Sequence, residues 1–274
     1  MLVVATAILA GFIILIWSAD LFVTGAAAIA RNLGMSPIIV GMTIVSLGTS
    51  TPEILVSLTA AFSGTGELAV GNAIGSNIAN IGLVLGVTVL VAPLVLPQCA
   101  IQTEIIILLV ATVAVGLLLG NGLLSRLDGW VMLAAMAAIL SYLLRTQSRD
   151  RELIAEVLEE PQPDIGSARA WLLFIVGLLL LVASSRLLVW GAVMAADAMG
   201  VSTLVIGLTV IAIGTSLPEL AATMASAMRG HADIALGNVV GSNLFNLLAV
   251  MAIPGIVEPQ LLEAGVIDRD YATM

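Results

Sequence analysis

Residues 41–53 read Gly41-Met-Thr-Ile-Val-Ser-Leu-Gly-Thr-Ser-Thr-Pro-Glu53, and a near copy, Gly207-Leu-Thr-Val-Ile-Ala-Ile-Gly-Thr-Ser-Leu-Pro-Glu219, follows 166 residues later. A second pair of motifs keeps this offset without a gap, since Gly71-Asn-Ala-Ile-Gly-Ser-Asn-Ile-Ala-Asn80 matches Gly237-Asn-Val-Val-Gly-Ser-Asn-Leu-Phe-Asn246. Two motif pairs in one register indicate an internal repeat. The chain is therefore predicted to consist of two related units.

The composition places both units in a lipid membrane. Of the 274 residues, 60% are hydrophobic and only 10% are charged, which is too apolar for the surface of a water-soluble protein. Apolar runs of about the 20 residues that cross a bilayer begin near Val3, Pro37, Leu68, Ile105, Gly129, Trp171, Thr203 and Ile234. We therefore expect an all-α integral membrane protein with eight visible spans, whose partners are the lipid bilayer and inorganic cations and not a nucleic acid.

The arginines predict how these spans are oriented. If the loops alternate between the two sides of the membrane, one side receives six of the nine basic residues: Arg31, Arg145, Arg149, Arg151, Arg169 and Arg229. Under the positive-inside rule this side is cytoplasmic. The expected location is the plasma (inner) membrane, with an external N-terminus and a cytoplasmic central loop.

The span count also predicts how the two units are related. Five spans separate equivalent points of the units, and an odd number gives the units opposite orientations in the membrane. Inverted repeats with interrupted helices near the midplane are typical of secondary transporters. We expect a first five-helix unit at 1–144, a cytoplasmic linker at 145–168, and a second unit at 169–274 that shows three helices and is truncated before its last two.

Each long motif contains a proline that interrupts a helix. Pro52 and Pro218 lack the amide hydrogen that a helix needs, so carbonyls near Gly48 and Gly214 lose their partners. In hydrocarbon such a carbonyl persists only where protein, water or an ion satisfies it. Side-chain oxygens at helical spacing share the faces near these breaks: Thr49, Ser50, Glu53, Ser76 and Asn80 in the first unit, and Thr215, Ser216, Glu219, Ser242 and Asn246 in the second.

These side chains favour a hard cation as the ligand. All ten offer oxygen and none offers sulfur or imidazole, a pattern that suits Ca²⁺ or Na⁺ better than a transition metal. A carboxylate inside a membrane needs a positive partner or a proton, and Arg186 is the only basic residue within a predicted span. The alternative, which stays open for each hydroxyl taken alone, is that these groups only hold helices together.

Two polar pairs and one pair of glycines outside this set occupy equivalent positions in the two units. Asp20 and Arg186 occupy equivalent positions with opposite charge, and three interpretations stay open: they pair with each other, they face water, or they act as a gate. Asn77 and Asn243 point roughly 100° away from the ligand faces. We expect this second pair to cap helices or to bond between them. Gly25 and Gly191 are small residues of the two first helices, where they allow close contact with neighbouring helices.

The paired motifs resemble those of the calcium/cation antiporter superfamily, specifically its prokaryotic sodium/calcium exchanger-like branch, whose repeats read G-T-S-x-P-E and G-S-N-x-x-[ND]. The resemblance covers nearly the whole chain. It implies a ten-helix fold in which the ten oxygen-bearing residues line one ion site, and in which the backbone carbonyls of Ser46 and Ala212 add to the coordination. It also implies that the first helices of the two units slide across a fixed core.

The function that the resemblance implies is secondary-active exchange of Ca²⁺ for Na⁺ by alternating access, with no cofactor and no enzyme activity. Exchange of Ca²⁺ for H⁺ is the alternative, because some family members carry an acid where this chain has Asn246. A passive channel is less favoured, since two inverted half-sites favour alternating access. An intramembrane enzyme is also less favoured because one His and one Cys supply no recognisable catalytic set, and an inactive fragment is the last alternative.

Overall fold

The computed structural model describes residues 2–94, 101–146, 165–201, 212–263 and 265–274. Most of the predicted linker at 145–168 lies outside these ranges, as does the beginning of the predicted span at Thr203. Over the described residues the secondary structure is almost entirely helical. The expectation of an all-α membrane protein is confirmed.

The first unit contains five crossing segments. They are α1 (Leu2–Leu33), the bent pair α2 (Pro37–Thr49) and α3 (Thr51–Phe62), α4 (Gly66–Val91), α5 (Gln102–Leu119) and α6 (Arg126–Thr146). The axes of α2 and α3 differ by 46°. Because α2 and α3 together cross once, the five-helix first unit has the number of spans that the sequence predicts.

The second unit repeats the helix boundaries of the first. Its described helices are α7 (Ser167–Ala198), α8 (Leu217–Met228) and α9 (Ala232–Val257), and a helical turn at Ala212–Thr215 precedes α8. The bounds of α3 and α8 differ by 166 residues at both ends, as do those of α4 and α9. The turns before α4 and α9 even share a glycine in the left-handed region, at Gly64 and Gly230, with φ of 72° and 80°.

The described residues contain six helices that are long and apolar enough to cross a membrane, and the α2–α3 pair makes a seventh span. These seven correspond to seven of the eight predicted spans. The eighth consists of residues outside the described ranges followed by the turn at Ala212–Thr215 and α8.

The first helices of the two units, α1 and α7, pack against each other through small residues. A Cβ atom at Gly25 would lie 2.8 Å from Cα of Phe174, and one at Gly177 would lie 2.7 Å from Cα of Phe22. The rings of Phe22 and Phe174 stack with centroids 4.7 Å apart. Gly191 faces Ile8 in the same interface. The two helices therefore form a closely packed pair.

The motif helices α2 and α9 cross closely at the centre of the protein. A Cβ atom at Gly41 would lie 2.7 Å from the carbonyl oxygen of Ile234, and one at Gly241 would lie 2.6 Å from Cα of Met42. Glycine lets two helix backbones approach in this way. This crossing brings the polar motif residues of one unit against those of the other.

The last described residues pack beside the first unit. The strand β1 (Leu123–Leu124) pairs antiparallel with β2 (Gln260–Leu261). A π-helical segment, Val266–Tyr271, follows, and the Tyr271 hydroxyl donates to the carbonyl of Thr112 at 2.6 Å.

Candidate ion-binding site

Both long motifs interrupt their helices at a serine. Ser50 (φ −81°, ψ 3°) and Ser216 (φ −86°, ψ 3°) leave the helical conformation in the same way, and a proline lies in the first turn of α3 and of α8. Glu53 and Glu219 belong to these same first turns. Their carboxylates therefore lie at helix N-termini, where the helix dipole favours negative charge.

One of the carbonyls that lose their helical partner at the prolines accepts a hydrogen bond from a side chain. Ser185 on α7 donates its hydroxyl to the carbonyl of Gly214 at 3.1 Å. Its repeat equivalent on α1 is Ala19, which has no hydroxyl. The two helix breaks thus have the same backbone geometry. They differ in whether the neighbouring long helix supplies a hydroxyl that can bond to the carbonyl at the break.

The structure buries almost all of the predicted ligands. Nine of the ten side chains are at most 5% exposed, and Thr215 is half-buried. The nine are Thr49, Ser50, Glu53, Ser76, Asn80, Ser216, Glu219, Ser242 and Asn246. They lie inside the protein and not against lipid.

Hydrogen bonds connect predicted ligands of one unit with residues of the other. Ser50 donates to Oε1 of Glu219 at 3.3 Å, and the hydroxyl oxygens of Thr49 and Ser242 are 3.4 Å apart. Asn80 donates its side-chain amide to Oδ1 of Asn243 at 3.2 Å. The structure therefore assembles both motif pairs into one polar cluster, and it gives Asn243 the interhelical hydrogen bond that we expected.

Many polar atoms of this cluster have no hydrogen-bond partner. Among the described residues, the buried side-chain atoms without a partner are both carboxylate oxygens of Glu53, Oε2 of Glu219, Oγ of Ser216, both amide atoms of Asn246, and Oδ1 of Asn80 and Asn77. All but the last belong to predicted ligands. A buried polar group without a partner is costly, so this concentration of unsatisfied oxygens indicates room for a positively charged ligand.

The charge of the cluster comes from two glutamates. Glu53 and Glu219 are close enough to interact electrostatically with each other, and neither forms a salt bridge within the described part of the chain. The described residues contain no group of three or more His, Cys, Asp or Glu side chains suited to a metal. The cluster thus offers two carboxylates surrounded by neutral oxygens.

Of the two predicted backbone ligands, the structure describes the bonding of the Ser46 carbonyl. The Ser46 carbonyl accepts the Ser50 amide at 2.9 Å, whereas the amide of Ser216, the repeat equivalent of Ser50, donates to Ile213 at 3.1 Å.

A cavity of about 470 Å³ reaches the cluster along α7. Its walls include Pro52 on α3, Ser185 and Arg186 on α7, and Thr215 at the second break. Arg186 is exposed and lies in this wall.

Asp20 pairs with a residue that its repeat position did not suggest. Its carboxylate forms a salt bridge with Arg229, in the turn between α8 and α9, and Arg229 also donates to the Thr24 hydroxyl at 2.7 Å. The interpretation that Asp20 pairs with Arg186 is therefore wrong. Asp20 instead connects α1 to the turn that follows α8.

Sequence reasoning missed Asn238, which the structure places in the cluster. This side chain is fully buried, accepts a hydrogen bond from Thr49 at 3.1 Å and donates to Thr223 at 2.9 Å. A signal was present, because Asn238 lies four residues before Ser242 and so shares its helix face.

The model of the sodium/calcium exchanger protein family matches residues 3–145 and 169–274. The chain belongs to this family. The two matched blocks correspond to the two units of the repeat, and together they include every residue of the polar cluster. Membership agrees with the expected multi-pass fold built from an inverted repeat.

Individual relatives align with nearly the whole of this chain. The chain is 45% identical to the putative antiporter CaxA of Alkalimonas amylolytica over all of this chain and 87% of that protein. It is 30% identical to the sodium/calcium exchanger MaX1 of Methanosarcina acetivorans, over 92% of this chain and 82% of that one. A solved structure of the sodium-calcium exchanger NCX_Mj, soaked with Na⁺ and Ca²⁺, superimposes with a TM-score of 0.85 at 31% identity, covering 100% and 88% of the two chains.

Proposed function

We propose that this protein is a secondary-active antiporter that exchanges Ca²⁺ for Na⁺ across the plasma membrane by alternating access. The observation that carries the proposal is the cluster of buried, unpartnered oxygens around Glu53 and Glu219. Membership of the sodium/calcium exchanger family and the names of two similar proteins, MaX1 and NCX_Mj, support the choice of ions.

The cluster has the chemistry that Ca²⁺ requires. This ion takes about six to eight oxygen ligands, and the two units supply carboxylate, hydroxyl and amide oxygens from both sides. Two carboxylates balance the charge of one Ca²⁺, which offsets the cost of removing the ion's water. Two Na⁺ ions would balance the same pair, so the two cations can compete for one set of ligands.

The position of the cavity supports access from one side of the membrane at a time. In the orientation that the arginines predict, α7 runs from the cytoplasm to the exterior, and the wall residues Ser185 and Arg186 lie in its second half. The cavity then connects Thr215 with the external side. Because the units are inverted, the opposite-facing state would place an equivalent cavity along α1, toward the cytoplasm.

Exchange of Ca²⁺ for H⁺ is a second candidate because of Asn246. This side chain is neutral and fully buried, so the predicted ligand set contains only two acidic groups. Each glutamate can bind one proton in place of a metal cation. Two protons would then replace one Ca²⁺ without changing the net charge of the site.

Uptake of ⁴⁵Ca²⁺ into proteoliposomes distinguishes these possibilities. The full-length protein is reconstituted, and uptake is measured under an outward Na⁺ gradient, under an outward H⁺ gradient, and with neither. We expect uptake to depend on the Na⁺ gradient. Uptake driven only by the H⁺ gradient would favour the second candidate, and equal uptake in all three conditions would identify a channel and refute exchange.

A further inference from the structure

We infer that Asn238 is a positioning residue that orients the Thr49 hydroxyl for cation binding. The inference rests on the proposed function, since it assumes that Thr49 contributes an oxygen to the ion. Asn238 itself is not among the predicted ligands. It lies on α9 and bonds across the helix crossing to Thr49 at the end of α2.

The hydrogen bonds fix the direction of the Asn238 amide. Its nitrogen donates to Oγ1 of Thr223 on α8 at 2.9 Å, so its oxygen is turned toward Thr49 and accepts the Thr49 hydroxyl at 3.1 Å. Asn238, Thr49 and Thr223 are each fully buried. In this conformation all three side chains are shielded from solvent.

This arrangement matters because a hydroxyl has one proton and two lone pairs. A cation can approach the Thr49 oxygen only from the lone-pair side, since the hydroxyl hydrogen carries positive charge. By accepting that hydrogen, Asn238 leaves the lone pairs of Thr49 available to the ion. Asn238 would therefore affect ion binding without touching the ion.

The other acceptors near Thr49 would be poor substitutes. Its hydroxyl oxygen is 3.4 Å from the carbonyl oxygen of Ser46 and 3.4 Å from Oγ of Ser242. The Glu219 carboxylate is also within hydrogen-bonding reach of Thr49. All three acceptors belong to the predicted ligand set. Without Asn238 the Thr49 proton would turn toward one of them, and that bond would compete with the cation for an oxygen.

The matched control is Ser57, the repeat equivalent of Thr223. It is also fully buried and also makes an interhelical bond, in which its hydroxyl donates to the carbonyl of Val250 at 2.8 Å. This bond does not involve a predicted ligand. Ser57→Ala therefore removes a buried interhelical bond of the same kind while the Thr49 hydroxyl keeps its acceptor.

The test measures the dissociation constant for ⁴⁵Ca²⁺ on purified full-length protein and, separately, thermal unfolding without Ca²⁺. Removal of a group that orients a metal ligand typically weakens affinity about 10–100-fold, and we expect a rise of this size for Asn238→Ala. Thr223→Val should give a smaller rise, because the Asn238 amide loses its anchor. Ser57→Ala should lower the unfolding temperature and leave Ca²⁺ affinity unchanged.

A double-mutant cycle separates positioning from general destabilisation. If Asn238 acts through Thr49, then Asn238→Ala should weaken Ca²⁺ binding far less in a Thr49→Ala background than in the wild type. An equal loss in both backgrounds, or wild-type affinity in Asn238→Ala, would overturn the inference and leave the proposed function intact. A wild-type protein that binds no Ca²⁺ would instead refute the proposed function, and the inference with it.

Discussion

The two buried glutamates are the residues on which the proposed transport depends most directly. Both are about 1% exposed, and three of their four carboxylate oxygens lack a partner in the described structure. A pair of like charges in a membrane interior is unfavourable until a cation or a proton joins it. The empty site is therefore expected to be less stable than the loaded one.

Replacing each glutamate with neutral glutamine tests whether transport depends on both carboxylates. Glu53→Gln and Glu219→Gln should each reduce ⁴⁵Ca²⁺ uptake to the level of empty liposomes, because one carboxylate alone cannot balance the charge of Ca²⁺. In the absence of cations the same variants should unfold at a temperature equal to or above that of the wild type, since a repulsion is removed. Wild-type uptake by either variant would contradict the proposed site.

Protons should compete with Ca²⁺ for the same oxygens. The carboxylates bind the cation only in their ionised form, so protonation at lower pH removes the charge that holds it. The apparent dissociation constant for ⁴⁵Ca²⁺ should rise several-fold as pH falls from about 8 to about 5. Binding that does not change over this range would show that the glutamates do not hold the ion.

The sequence register predicted that motif residues of the two units face each other, and the structure joins Ser50 to Glu219 and Thr49 to Ser242. That all ten side chains line one ion site stays a prediction.

The sequence could not predict the bond between Asp20 and Arg229. These residues are 209 positions apart, and their contact depends on how α1 packs against the turn between α8 and α9. The repeat suggested Arg186 as the partner of Asp20 because the two residues occupy equivalent positions. Equivalent positions in a repeat need not be in contact.

At the level of helices, specific polar contacts connect the pair α1 and α7 to the rest of the protein. One is the salt bridge of Asp20 with Arg229, and another is the bond from Ser185 to the Gly214 carbonyl. Both cross from a long first helix to the part of the protein that holds the motifs. They are among the bonds that must change if the long helices slide during transport.

The salt bridge should contribute little to overall stability. The Arg229 and Asp20 side chains are 39% and 49% exposed, and ion pairs with this exposure are typically worth about 0.2–1 kcal/mol. A double-mutant cycle with Asp20→Asn and Arg229→Gln should therefore give a coupling energy in this range by thermal unfolding. The control is Arg186→Gln, which should show no coupling with Asp20→Asn. A coupling of several kcal/mol would show that the pair is a structural anchor.

The glycines of α1 and α7 permit a second prediction at this level. The sequence suggested that Gly25 and Gly191 allow contact with neighbouring helices, and the structure identifies that contact as the α1–α7 interface. A Trp side chain at Gly25 would meet the backbone of Phe174 and separate the two helices. Gly25→Trp should therefore abolish Na⁺-driven uptake, whereas equilibrium Ca²⁺ binding should survive, because the ligands lie on other helices.

Gly86 on α4 supplies the control for this substitution, since nothing lies within 4 Å of a Cβ atom placed there. Gly86→Trp should retain uptake and binding. If Gly25→Trp transported normally, a close α1–α7 pair would not be required for turnover.

At the level of the whole molecule, the proposed site takes its residues from two nearly equal halves of an inverted repeat. The helix bounds of α3, α4, α8 and α9 repeat at one offset, which the sequence predicted because the motifs include the helix breaks themselves. The differences between the halves were less predictable. They arise where equivalent positions carry different side chains, as at Ala19 and Ser185, and so give the two breaks different partners.

The charge of the site leads to a prediction about the complete transport cycle. Two glutamates carry two negative charges, which one Ca²⁺ or two monovalent cations neutralise. A loaded site with unbalanced charge is costly in a membrane interior. Wild-type exchange should therefore move no net charge, and a K⁺ diffusion potential imposed with valinomycin should leave the rate of ⁴⁵Ca²⁺ uptake unchanged.

A substitution at Asn246 tests whether the number of acidic groups in the site sets the net charge moved. Its side chain is fully buried in the cluster, and neither of its polar side-chain atoms has a partner in the described structure. Asn246→Asp would add a third negative charge, which three monovalent cations can neutralise but one Ca²⁺ cannot. Uptake by this variant under a Na⁺ gradient should become sensitive to membrane potential, and an inside-positive potential should accelerate the efflux of Na⁺ that drives it. If an inside-positive potential accelerated uptake by the wild type, more than two positive charges would return per Ca²⁺, and a group outside the two glutamates would carry part of the charge.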